Sequence, residues 1–168
     1  MTVVFGGAEF PAYVIDPETL REELLDEEET REWVEETPQD PHAVALLRML
    51  GELDTALVAG RERLAEQEEG APGWATAAVR LAHVHHWREE FVDAHGLLDA
   101  AEVALVGDDA RTALVHQHRA KVLFDEGRYV EAHVAAARAL ELREPVGDAG
   151  LVASTRQTLD RIARELPG

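Results

Sequence analysis

Hydrophobic residues recur at helical spacing along most of the chain, and breakers separate these stretches at short intervals. Beyond Pro38, glycines, prolines and capping acids divide the sequence into segments of one amphipathic helix each. We therefore predict seven helices, at 41–50, 53–69, 74–87, 90–105, 110–126, 128–143 and 149–166. The first six form three pairs, because a short turn separates the two members of each.

The first 36 residues have a different pattern. Residues 1–15 mix apolar residues with Gly6-Gly7 and Pro11, which indicates an irregular or short extended segment. Asp16-Pro17 is a helix start signal, and no breaker follows before residue 36, so we predict a helix over 17–36 with a break allowed near Glu28. The chain then divides into an N-terminal extension with an acidic helix, 1–36, and a helical domain, 37–168.

An internal repeat links the three predicted pairs. The third pair contains a spaced set of small, turn and aromatic residues: Ala120, Leu123, Gly127, Tyr129, Ala132, Ala136, Ala139 and Leu140, closed by Pro145. A shift of 38 residues aligns the second pair with it, placing Ala82 on Ala120, Phe91 on Tyr129, Ala94 on Ala132, Leu98 on Ala136 and Ala101 on Ala139. A second shift of 38 aligns the first pair, placing Leu47 on His85, Gly51 on Glu89, Leu53 on Phe91, Ala56 on Ala94 and Gly60 on Leu98.

This register resembles the tetratricopeptide repeat (TPR) family, in which small residues let two helices approach, a glycine makes the turn and an aromatic residue follows it. The resemblance covers residues 38–145, and the helix 149–166 would be the capping helix. Three features depart from the family pattern: the period of 38, Glu89 at the middle turn, and Arg63 where the other repeats have alanine. The resemblance implies an all-α fold, a right-handed α-solenoid of about three helix-turn-helix repeats with a C-terminal capping helix and an acidic N-terminal helix.

The resemblance also implies a concave groove, lined by the first helix of each pair, that binds a peptide or protein segment. The implied groove residues are Arg48, Thr76, Val79, Arg80, His83, His86, Trp87, Gln117, His118, Lys121, Phe124 and Asp125. A cationic groove with aromatic anchors suits an acidic segment or a C-terminal carboxylate. An equally weighted interpretation is that these are ordinary surface groups paired with nearby acids such as Glu89, Glu90 and Asp125. Some members of the family hold chaperone tails with a clamp of asparagine and lysine side chains. The present chain has no asparagine, so this particular activity is not expected of it.

Composition narrows the function classes. The absence of cysteine excludes disulfides, thiolate metal sites and a cysteine nucleophile. The net charge of −18 argues against nucleic acid and anionic membrane surfaces as partners. We find no phosphate-binding glycine loop, and the only serine, Ser154, lies in a predicted helix without a nucleophile-elbow context. We therefore expect no enzyme, no catalytic residues, no cofactor and no metal, in a cytoplasmic protein whose arginine- and alanine-rich composition is typical of bacteria with GC-rich genomes.

Two alternatives to a partner-binding adaptor remain open. The first is a self-associating structural module, in which a second copy of this chain is the partner. The second is a metal- or ligand-binding regulatory protein that uses the histidines, above all His83, His85 and His86 with His95, His116, His118 and His133. His83 and His86 share a helical face, and His118 could approach them from the next repeat.

Charge distribution leaves one further question about the N-terminal extension. Residues 1–40 hold 13 acidic and 2 basic residues, a net charge of −11. This acidic segment either caps the first repeat or folds over the cationic groove and occupies it.

Overall fold

The computed structural model describes residues 2–168, so position 1 of the predicted N-terminal extension lies outside the described residues. Helix makes up 64% of the chain, which confirms a mostly α protein. The eight helices of the described residues are α1 (Glu27–Glu36), α2 (Ala43–Met49), α3 (Leu53–Ala65), α4 (Pro72–Trp87), α5 (Phe91–Ala104), α6 (Asp109–Asp125), α7 (Tyr129–Arg143) and α8 (Ala149–Ala163). The seven helices predicted beyond Pro38 are all present, with ends that differ by at most four residues from the prediction.

The helices pack in the order in which they occur along the chain. The antiparallel pairs are α2 with α3, α4 with α5 and α6 with α7, and each pair packs on the next. The first helices α2, α4 and α6 also contact one another in sequence, and α8 contacts α6. These four helices therefore form one layer, which we call the inner layer.

The three turns within the pairs have the same geometry at a spacing of 38 residues. Gly51, Glu89 and Gly127 all have left-handed backbone conformation, with φ of 77°, 62° and 74°. In each turn the following amide donates to the carbonyl five residues before it: Glu52 to Leu47, Glu90 to His85 and Arg128 to Leu123. This is the hydrogen-bonding pattern of a Schellman helix ending. Glu89 adopts the conformation for which the other two turns use glycine.

Small residues allow the two helices of each pair to approach closely. Ala56, Ala94 and Ala132 lie at equivalent positions of α3, α5 and α7, and all three are completely buried. Ala82 and Ala120 are completely buried on the facing helices α4 and α6. Methyl groups at these positions fill the space between helices without separating them, as close packing requires.

The predicted helix over 17–36 is wrong in its first half. The structure has a two-stranded antiparallel sheet, β1 (Tyr13–Ile15) with β2 (Glu22–Leu24), and only residues 27–36 are helical. The Asp16 carboxylate accepts from the amides of Glu18 and Thr19, at 3.0 and 2.6 Å, and this turns the chain. The helix begins instead after Asp26, whose side chain caps it by accepting from the Glu29 amide at 2.9 Å. We call residues 13–24 the hairpin.

The helix α1 packs on the first helix pair, and Leu24 at the end of the hairpin packs against the same apolar cluster. Val34 of α1 belongs to an apolar cluster with residues of the first pair, including Val44, Leu47 and Ala56. The α1 helix therefore covers the end of the first pair. The hairpin contacts the inner layer, as described next.

Candidate partner-binding face

The hairpin crosses all four helices of the inner layer. Its side chains and carbonyl groups contact Arg48 of α2, Lys121 of α6, and Gln157 and Arg161 of α8. It also approaches α4, where His83 Nε2 lies 3.9 Å from a carboxylate oxygen of Glu22. We call the surface of the inner layer that the hairpin covers the inner face. It brings together polar side chains from several helices, and we treat it as the candidate functional site.

A buried ion-pair network lies at the centre of this contact. Glu22 Oε2 accepts from Arg48 Nη1 at 2.9 Å, and Glu22 Oε1 accepts from Lys121 Nζ at 2.8 Å. The three side chains are only 3–6% exposed. Burial alone would raise the pKa of Glu22, but Arg48 and Lys121 hold that pKa well below its ordinary value. The Glu22 carboxylate is thus ionised and shared between two helices of the inner layer.

A second polar contact surrounds Arg21, the residue before Glu22. Arg21 Nη2 donates to Asp125 Oδ2 at 3.1 Å, and the same oxygen lies 2.7 Å from His86 Nε2. The guanidinium group of Arg21 also lies 5.0 Å from the centre of the Trp87 ring, and that of Arg48 lies 4.6 Å from the same ring. These distances are typical of cation–π contacts. Trp87 therefore holds one cation from the hairpin and one from the inner layer.

An apolar contact completes the docking of the hairpin. Leu20, at the tip of the hairpin, is 2% exposed and belongs to a cluster with Ala120, Leu123 and Ile162. Its φ of 59° is unusual for a leucine, because a side chain disfavours left-handed backbone. The turn therefore holds a strained residue in the position that inserts its side chain between α6 and α8.

Three histidines lie together beside Glu22, of which His83 and His86 are buried and His118 is partly buried. The ring centres of His83 and His86 are 5.2 Å apart and stacked, and those of His83 and His118 are 4.3 Å apart in an edge arrangement. Burial lowers the pKa of both His83 and His118 well below the ordinary value, and the nearby Arg48 and Lys121 contribute in the same direction. Both rings are therefore neutral near pH 7.

The clustering of His83, His86 and His118 matches the sequence-based hypothesis of a shared location, but His86 is bound to Asp125. Within residues 2–168, the one group of side chains with metal-ligand proximity is elsewhere, at His85, Glu90 and Asp93. Glu90 there already accepts from Arg88 Nε at 2.8 Å and contacts His85 Nδ1 at 2.5 Å. Two members of this group, His85 and Glu90, are thus engaged with each other, and Glu90 also binds Arg88.

The structure brings together most of the predicted groove residues. Seven of them line one cavity of about 250 Å³ under the hairpin: Arg48, Val79, Arg80, His83, Gln117, His118 and Lys121. His86, Trp87 and Asp125 surround Arg21, and Phe124 packs beside Leu20 and under the Arg161 guanidinium. Thr76 lies at a second cavity, lined also by Pro41, Arg63 and Gln67, and Arg80 lines both cavities.

Sequence reasoning missed the residues of the hairpin that reach this face, namely Tyr13, Leu20, Arg21 and Glu22, and it also missed Arg143 of α7. The available signal was weak. Asp16-Pro17 starts a turn as readily as a helix, and the short run Glu22-Glu23-Leu24 has no clear period. Occupation of the groove by the N-terminal extension was one of the two alternatives from the sequence, but the hairpin and the residues through which it docks were not predicted.

No protein-family model matches this sequence, and a search of curated proteins finds no match. In the part of the chain that the structure describes, no helix is long and apolar enough to cross a membrane.

Proposed function

We propose that this chain is a tetratricopeptide-like, right-handed α-solenoid that binds an extended acidic segment of a partner protein on its inner face and catalyses no reaction. The repeat period of 38 residues, the equivalent turns at Gly51, Glu89 and Gly127, and the layer of first helices support the family resemblance. Proteins of this kind present one layer of helices to their partners.

The observation that carries the proposal is the burial of the Glu22 carboxylate between Arg48 and Lys121. A carboxylate from an extended strand, held by two cations on different helices, is the arrangement that an acidic peptide ligand would have. The neighbouring Trp87 and the Leu20 pocket supply apolar anchors of the kind that contribute most of the energy in peptide interfaces. The hairpin is thus a ligand of the inner face that the chain carries itself.

The position of the chain's own hairpin on the inner face has a direct consequence for partner binding. A partner segment gains access only in molecules whose hairpin has left the inner face, so its apparent affinity is lowered by the fraction of open molecules. The hairpin therefore sets a threshold that a partner must exceed. Changes that weaken the Glu22 contacts should lower this threshold.

The test uses a fluorescent synthetic peptide with the sequence of residues 11–26 and measures its binding to the full-length chain by fluorescence anisotropy. The Glu22→Ala chain should bind this peptide at least tenfold more tightly than the wild-type chain, because its own hairpin has lost its anchor. A peptide with Glu22→Gln should lose most of this affinity, whereas a peptide with Glu23→Gln should keep it, since Glu23 is exposed in the structure.

Circular dichroism should show that the Glu22→Ala chain keeps its helices. Equal binding of the Glu22→Gln and Glu23→Gln peptides would contradict the proposal, as would equal binding by the wild-type and Glu22→Ala chains. A further substitution, Arg48→Met in the Glu22→Ala chain, should abolish binding of the unmodified peptide.

Self-association remains the second candidate function, and one observation favours it. Several valines on or next to the second helices of the pairs are strongly exposed: Val58, Val92, Val103, Val106, Val130 and Val134. Apolar surface of this kind can pair with a second copy when it is contiguous. Light scattering over a range of protein concentrations, on the wild-type chain and on a Val92→Thr, Val130→Thr variant, separates this candidate from the adaptor.

A further inference from the structure

The cavity under the hairpin has more positive charge than the protein provides partners for. Four cationic side chains line it, Arg48, Arg80, Lys121 and Arg143, whereas Glu22 is the one carboxylate among its lining residues. Glu22 binds Arg48 and Lys121. Among the described residues, neither Arg80 nor Arg143 has a carboxylate within 4.0 Å, although the protein as a whole has a net charge of −18. Uncompensated buried charge is costly, so this excess of cations points to an anion.

The two unpaired arginines differ in how firmly they are held. Arg143 is 6% exposed and donates to Thr155 Oγ1 at 2.6 Å and to the Leu151 carbonyl at 3.3 Å. Burial lowers its pKa to about 10. Arg80 is partly buried, and its guanidinium makes no hydrogen bond to another described residue, which leaves its donors available. The Asp40 carboxylate, whose charge acts on Arg80, contacts His42 Nδ1 at 2.9 Å.

Several other polar atoms at this cavity also lack partners. Arg48 Nε, Gln117 Oε1, His118 Nδ1 and both ring nitrogens of His83 are buried without a hydrogen bond inside residues 2–168. Native proteins satisfy almost all buried polar groups, with protein atoms, water or a ligand. The five atoms belong to four residues that line this cavity, so its wall is rich in polar groups on this side.

The remaining walls of the cavity indicate the rest of the ligand. They are apolar and partly aromatic, and they include Phe10, Tyr13, Met49, Val79 and Leu114. The cavity of about 250 Å³ has the volume of roughly eight water molecules. It fits a small organic molecule and excludes a polypeptide segment.

We propose that this cavity binds a small organic oxyanion, a carboxylate or a phosphate monoester, whose charged group contacts Arg80 and Arg143 and whose apolar body lies against Tyr13 and Val79. Tyr13 belongs to the hairpin, and both arginines belong to the helices. A molecule bound here contacts both sides and holds the hairpin closed. This inference goes beyond the proposed partner binding, because it concerns the closed chain and a different class of ligand.

The test measures the thermal unfolding and calorimetric binding of the full-length wild-type chain at constant ionic strength. The probes are benzoate, succinate, phenyl phosphate and inorganic phosphate, with benzamide and benzyl alcohol as uncharged matches. We expect at least one organic oxyanion to raise the unfolding temperature in a saturable way, and its uncharged match to have no effect. Comparison of the carboxylate and phosphate probes identifies which anion the site prefers.

Variants locate the effect at the cavity. Arg80→Met should weaken the binding of the active probe at least tenfold, and it should fold normally because Arg80 makes no hydrogen bond to another described side chain or carbonyl. Arg138→Met, which removes an exposed arginine paired with Glu141, should leave binding unchanged. The inference would be overturned if no oxyanion stabilised the chain in a saturable way, or if the Arg80→Met and wild-type chains bound the active probe equally well. Ordered water would then be the occupant of the cavity. Neither result affects the peptide-binding test, which uses the opened Glu22→Ala chain.

Discussion

The hairpin and the three helix pairs are held in place by different kinds of interaction. The two helices of each pair pack together through completely buried alanine methyl groups, which make only apolar contacts. Examples are Ala56, Ala94 and Ala132. The hairpin docks through a shared carboxylate at Glu22, an arginine at Arg21 and one buried leucine. Nonpolar packing is tolerant of direction, whereas ion pairs and hydrogen bonds require particular atoms. The helical domain is thus packed mainly through apolar contacts, whereas the hairpin is docked on it through specific polar contacts.

The sharpest way to separate the two regions is to remove the Glu22 carboxylate. The Glu22→Ala substitution leaves Arg48 and Lys121 buried without their anion, which should cost about 3–5 kcal/mol of docking free energy. Hydrogen exchange should show a loss of protection of more than a hundredfold in β1 and β2, with α6 and α7 unchanged. Glu23→Ala is the matched control, because Glu23 is exposed. Loss of protection throughout the helices would show that the hairpin is part of the scaffold.

Acid should weaken the inner face before it affects the rest of the chain. His83 and His118 have lowered pKa values in the folded protein, so the unfolded chain takes up protons near pH 6.5 that the folded chain does not. This contribution to stability is therefore complete above pH 6.5 and is lost progressively as the pH falls below it. The lowered pKa of Glu22 acts in the same direction at lower pH, below about 4.5.

Urea unfolding at pH 7.5 and pH 5.5 measures this dependence. The groups that face His83 are Glu22, Arg48, His86, His118 and Lys121. His83→Gln should reduce the difference in the free energy of unfolding between the two pH values. An identical pH dependence for the wild-type and His83→Gln chains would contradict the assignment.

The helix pairs should respond to overpacking, which does not concern the hairpin. Ala132→Leu adds three carbon atoms at a completely buried position between α6 and α7 and should cost about 1–3 kcal/mol. Ala100→Leu on α5 is the control, because Ala100 is exposed. Chemical unfolding of both variants measures the difference. If Ala132→Leu unfolds at the wild-type denaturant concentration, the close approach of the helices at this position is not important for stability.

The smallest expected effect concerns the turns of the pairs. Glu89 adopts the left-handed backbone conformation, which is unfavourable by about 1 kcal/mol for any residue with a side chain. Glu89→Gly should therefore stabilise the chain by about that amount. Gly127→Ala should destabilise it similarly, because its φ of 74° is unfavourable for alanine even though a Cβ would have free space. Thermal unfolding of the two variants should therefore shift in opposite directions.

Sequence alone determined the helical domain because its signals are local. A helix start, a glycine turn or a buried alanine needs only neighbours within a few residues, and the same signals recur every 38 residues. The turn at Glu89 was aligned with Gly51 and Gly127 by this spacing, although its residue type gave no indication of left-handed backbone. Seven helices and the sequential packing of their pairs followed from the pattern.

Only the tertiary structure decided the fate of residues 13–24. Read alone, Glu18 to Glu36 favours a helix, since charged and leucine residues have good helix propensity. The strand is favoured instead because Glu22 contacts Arg48, 26 residues away, and Lys121, 99 residues away. The same fold decided that the acidic extension both caps the first pair, through Val34 of α1, and occupies the inner face, through the hairpin. Contacts between such distant residues leave no periodic trace in a sequence, because each is a single pair of side chains placed by the folding of everything between them.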